Sequence, residues 1–177
     1  MASDKQPLDI FTDNDGQLAL PVAAFQRVVK PADCRLEPTD GFPVLWRYTD
    51  EKERRSGVVL NVPGLLNGGT MSISARGWIY ETQRDGGYVA LFMPGNPRRL
   101  ALESTRHKVV AQESSRVPLY PATWPKGAVQ QVVRAKFANI VILDTAFLLE
   151  QVPRQPAPAV AAPAAQEPAE MPAAPVT

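Results

Sequence analysis

The feature that most constrains this chain lies between residues 42 and 93, where short runs of β-branched and aromatic residues alternate with turn chemistry. That alternation is how strands are written. Residues 42–49 and 57–62 flank the charged connector Asp50-Glu51-Lys52-Glu53-Arg54-Arg55-Ser56 and read as a hairpin with a solvated tip. Pro63-Gly64 and Asn67-Gly68-Gly69 read as turns. Residues 70–75 and 77–83 follow as strands, or as one bent strand. Arg84-Asp85-Gly86-Gly87 is a strong hairpin turn into a returning strand over 88–93.

The flanks are less regular. Thr12-Asp13-Asn14-Asp15-Gly16 is a turn joining residues 8–11 to 17–20. It fails as a calcium loop, because placing Gly16 sixth puts Phe11 first and Val22 twelfth. Pro21 in a first turn, an apolar face of Val22, Phe25 and Val29, and Pro31 as a stop predict a short helix over 21–30. Residues 32–41 read as loop. Residues 97–112 fit either a helix or a strand pair around 100–102 and 109–111. Pro118, Pro121 and Pro125 keep 116–126 irregular. Val129, Val132, Val133 and Phe137 fall at helical spacing, 140–143 reads as a buried strand, and 146–151 suits either element. The expected fold is a β-dominated α+β domain. It would be a small antiparallel sheet or a partly open barrel with one to three short helices.

Residues 153–177 hold 7 Pro and 9 Ala among 25. Without an aromatic residue or a period that buries a face, they are expected to be a disordered Pro/Ala-rich tail, either a solubilising end with no specific partner or a tether or docking arm for a protein partner, the first being favoured. Residues 1–152 are then the single folded unit. One Cys and one His exclude an internal disulfide and a Cys/His zinc site. No cofactor motif is visible, and no metal site is expected. The apolar stretch 140–149 is interrupted by Asp144 and is too short to span a membrane. The polar start Met1-Ala2-Ser3-Asp4-Lys5 is unlike a secretory signal. A soluble, cytoplasmic protein with no membrane partner is expected.

The net charge of +1 hides an asymmetry: residues 1–50 carry 5 basic and 8 acidic side chains, residues 51–136 carry 13 and 6. In this basic middle, Trp46-Arg47-Tyr48 and Trp78-Ile79-Tyr80 each put Trp and Tyr two apart, on one face of a strand. If the two strands are neighbours, four rings share one face. Aromatic rings beside cations are what single-stranded nucleic acid needs, since bases stack and phosphates meet guanidinium groups. Rings at strand spacing also build cores, so both placements stay open. Pro94-Gly95-Asn96-Pro97-Arg98-Arg99 offers a turn and an Arg pair to a phosphate, although phosphate-loop and dinucleotide glycine motifs are absent.

Chemistry beyond binding is thinly represented. His107 sits between Arg106 and Lys108, no Gly-x-Ser-x-Gly nucleophile elbow occurs, and Cys34 lacks an adjacent base. Asp144, set in apolar sequence, is the acid whose environment most invites a role or a structural ion pair. The leading expectation is a non-enzymatic module binding single-stranded nucleic acid through Trp46, Arg47, Tyr48, Arg54, Arg55, Trp78, Tyr80, Arg84, Arg98, Arg99, Arg106 and Lys108. One alternative is an assembly protein making protein–protein contacts, with the tail as spacer. The other is an enzyme acting on nucleic acid or a phosphorylated substrate through Arg98, Arg99 and an acid. Oligomeric state and the choice of DNA or RNA stay open.

Overall fold

The computed structural model of the chain describes residues 5–13, 16–40, 42–68, 73–103, 108–112, 115–135 and 138–154. Two six-stranded sheets carry the fold. Strands β1 (Lys5–Asp13) and β2 (Gly16–Pro21) form the expected first hairpin. They join β9 (Arg98–Glu103), β10 (Lys108–Val109), β11 (Val129–Arg134) and β12 (Asn139–Leu143) in a first sheet, a half-barrel ordered β10-β11-β12-β2-β1-β9. The second sheet is open. It holds β3 (Arg27–Val29), β4 (Arg35–Pro38), β5 (Leu45–Asp50), β6 (Arg55–Asn61), β7 (Gly77–Arg84) and β8 (Gly87–Pro94), ordered β3-β7-β8-β6-β5-β4. Two short helices, α1 (Val62–Asn67) and α2 (Thr145–Glu150), complete a β-dominated α+β fold.

The β8 sequence Tyr88-Val89-Ala90-Leu91-Phe92-Met93 reads as a continuous apolar run because both its faces are covered. Val89, Leu91 and Met93 enter a central cluster between the sheets, with Phe11, Leu20, Leu143 and Leu148. Ala90 and Phe92 face the opposite side, with Val29, Tyr48, Val59 and Ile79. A parallel partner, β6, on one side and antiparallel β7 on the other give β8 a full ladder, as expected of a buried interior strand. A third cluster, including Leu8, Ile10, Ala19, Ile140 and Ile142, is built from strands of the first sheet. Burying one such leucine contributes about 2 kcal/mol.

The two predicted hairpins around 50–56 and 84–87 are present. Residues 97–112 do contain two strands, but not as the expected pair: β9 zips onto β1 and β10 onto β11, at opposite edges of the first sheet. Two predicted helices are strands instead. Pro21 closes β2, residues 22–25 turn through a Phe25 N–H to Val22 carbonyl bond of 3.1 Å, and Arg27–Val29 zips onto β7. The apolar spacing there imitates a helix because Val22 and Phe25 pack on the central cluster while Val29 packs on the outer one. In β11, a register shift between Val129 and Gln131 breaks the two-residue period, and Val132 and Val133 are both buried. A bulge in a strand covered on both sides therefore mimics helical spacing. The 32–41 loop contains a 3-10 turn and β4, and Pro63-Gly64 sits inside α1, with Pro in the first turn where its missing N–H does no harm. Among the described residues no helix is long and apolar enough to cross a membrane.

Candidate functional site

Strand alternation and sheet order decide where the sequence candidates go. Strands β5 and β7 are separated by β6 and β8, and the two Trp-x-Tyr pairs fall on opposite faces of the second sheet. Trp46 and Tyr48 belong to the outer cluster, Trp78 and Tyr80 to the central one. Both tyrosines are fully buried. Lys30 covers the Trp78 ring, with its Nζ 5.5 Å from the centroid. No four-ring face exists.

The tyrosines serve buried acids instead. Tyr48 Oη donates to Glu81 Oε2 at 2.5 Å, and Glu81 Oε1 also accepts from Arg27 Nε at 3.2 Å and Arg55 Nη1 at 3.1 Å. Arg27 Nη2 reaches Asp50 Oδ2 at 2.9 Å. On the other side of the sheet, Tyr80 Oη donates to Asp9 Oδ2 at 2.6 Å, bridging the two sheets, and Arg99 Nε closes on Asp9 Oδ1. Asp9, Asp50 and Glu81 are all nearly inaccessible. A buried carboxylate is tolerable only when paired and hydrogen-bonded, and these three are. Burial, followed by the carboxylate partner, pushes both phenols well above the ordinary tyrosine range. Burial opposes charge on Arg27, but Glu81 and Asp50 outweigh it and raise its pKa.

The remaining candidates are scattered. Arg98 and Arg99 lie on β9 and Lys108 on β10, at the two edges of the first sheet, whereas Arg54 and Arg55 belong to the β5–β6 hairpin of the second. Arg106 and His107 fall outside the described residues. Asp144 caps α2, accepting the Phe147 N–H at 3.0 Å, which gives it a structural duty. Burial, helped by Asp50, pushes the Cys34 thiol up to about 11, unlike an activated nucleophile. Among the described residues no group of His, Cys, Asp and Glu is arranged to hold a metal ion.

Where cations do gather is a cleft of about 290 Å³ beside the β7–β8 hairpin tip. Its walls include Arg47 and Ser56 from β5 and β6, Arg84 and Asp85 from the tip, and Pro153 and Arg154 after α2. Arg84 is fixed by two carbonyls, Leu149 at 2.7 Å and Pro153 at 3.1 Å. Arg154 reaches Asp85 at 2.5 Å and Glu150 at 3.1 Å. Arg47 has no ion pair with any described residue. Sequence reading chose Arg47 and Arg84 but missed their meeting with Arg154, 70 residues downstream of Arg84. The sequence does not single out Asp9 or Glu81, although both fall within segments that read as strands, 8–11 and 77–83.

No protein-family model matches the sequence, and no curated protein matches it. Among solved structures, the crystal structure of the scaffolding protein TtCheW from Thermoanaerobacter tengcongensis is similar, with a TM-score of 0.57. It is 13% identical and covers 81% of this chain and 87% of that chain. At that identity the likeness is one of fold. The expectation of a nucleic-acid-binding module is corrected accordingly: the fold likeness lies with a scaffolding protein, and the rings meant for bases are divided between two buried faces.

Proposed function

We propose that this chain is a scaffolding protein, holding other proteins together through its β-domain and performing no catalytic step of its own. The observation that carries this reading is the fold shared with a scaffolding protein over most of both chains. One feature of the interior supports it. The three buried acids bind the protein's own Arg and Tyr side chains rather than opening onto a cleft. In this reading residues 5–154 are the contact-making unit and the Pro/Ala-rich residues 155–177 are a spacer.

The test is to isolate the tagged chain from its native cells at natural abundance, treat with nuclease, and measure the mass of the eluting species by light scattering. A complex of fixed stoichiometry with at least one other protein is expected. A monodisperse single chain, or a particle that dissolves on nuclease treatment, would contradict the proposal.

A further inference from the structure

The arginine-lined cleft at the β7–β8 tip lies over the core residues Val89 and Val152, and it holds an arginine, Arg47, that no ion pair among the described residues uses. We propose that it binds an extended acidic segment of a partner protein. This deepens the scaffolding reading and rests on it, since it names the chemistry by which one partner would be held.

Three arginines, Arg47, Arg84 and Arg154, line the cleft with a single acidic residue, Asp85. Arg84 is held in place by neutral carbonyls, which fix its direction and leave its charge uncompensated. Arg154 is already shared between Asp85 and Glu150. Arg47 is exposed and unpaired among the described residues, so it is the group available to take a carboxylate in the two-pronged geometry that guanidinium favours. Val58 and Val152 also line the cleft and give the stem of a Glu side chain an apolar wall. Gly86 and Gly87 at the tip carry no side chain that would bar a passing main chain. The volume is at the small end for a compact ligand, which suits a short stretch of peptide better.

The chain's own tail is the nearest competitor, because Pro153 and Arg154 form one lip. Residues 155–166, which follow immediately, contain no charged side chain, and the first acids beyond are Glu167 and Glu170. The segment nearest the cleft therefore offers Arg47 nothing, which favours an acidic segment from outside.

The test uses the full chain and a fluorescein-labelled, end-blocked decapeptide of alternating Glu and Ala, with its Gln-for-Glu counterpart as control, followed by anisotropy at low salt. Saturable binding of the Glu peptide and none of the Gln peptide is expected. Arg47→Glu should weaken binding by about tenfold or more, while Arg134→Glu, an exposed charge on β11 of the other sheet, leaves it unchanged. Should Arg47→Glu fail to fold, Arg47→Ala and Ser56→Glu place the same demand on the cleft. Equal losses from Arg134→Glu, or no saturable binding, would overturn the proposal. So would about tenfold tighter binding in the Glu167→Gln, Glu170→Gln double variant, which would make the tail the occupant. If a native partner is found and stays bound equally well to Arg47→Glu, the scaffolding reading stands and this site falls.

Discussion

At the scale of single residues, buried acids rather than exposed rings set the terms. Tyr80→Phe removes one of the three hydrogen bonds that Asp9 accepts from Tyr80 and Arg99 and is expected to destabilise the fold by about 1–2 kcal/mol in denaturant unfolding. A change indistinguishable from zero would mean that the bridge between the sheets carries no weight. Asp50 supplies a pH-dependent test. Burial alone would raise its pKa, but the Glu53 N–H, the Arg27 guanidinium and the Lys52 N–H outweigh it and hold the carboxyl below the usual range. A lowered folded-state pKa stabilises above the unfolded value and loses that contribution as pH falls through the folded one. Asp50→Asn should therefore cost about 1–3 kcal/mol near neutrality, with the gap to wild type closing below about pH 4. A gap independent of pH would contradict this account of Asp50. Little of this was legible beforehand, because sequence shows that Asp9 and Glu81 sit in strands but not which arginine crosses over to meet them.

Elements were easier to read than their partners. The hairpins around 50–56 and 84–87 were visible because turn residues sit between apolar runs; Asp85 and Gly86 take left-handed backbone there, at φ of 54° and 80°. Strand β3 and strand β11 were read as helices, since strands covered on two sides or interrupted by a bulge lose the two-residue period on which sequence reading depends. Close approach between strands gives a direct test. A Cβ at Gly57 on β6 would lie 2.4 Å from the backbone oxygen of Tyr88 on β8. Gly57→Ala is expected to force the parallel β6–β8 pair apart and destabilise the domain by about 2–3 kcal/mol. An unchanged melting temperature would refute that packing. At the end of α2, Asp144→Ala should cost about 1 kcal/mol through loss of the cap. A much larger effect would restore a role beyond capping.

At the scale of the molecule, a β-dominated α+β fold was readable from the density of strand segments, whereas the division into two sheets was not. That division depends on which strands pair across long separations, such as β2 with β12 and β1 with β9, and local sequence does not encode such choices. The same ignorance misdirected the functional expectation: four rings on one face required β5 and β7 to be neighbours, and they are not. The alternative already open in the sequence, an assembly protein with a Pro/Ala spacer, is the reading we propose. The most direct test of it is lysine cross-linking in intact native cells, read by mass spectrometry. Lys30, Lys52, Lys108 and Lys126 are exposed on separate parts of the surface. Recurrent cross-links from some of them to defined lysines of one or two other proteins are expected. Cross-links confined to the chain itself, or spread over many proteins without recurrence, would contradict a scaffolding role.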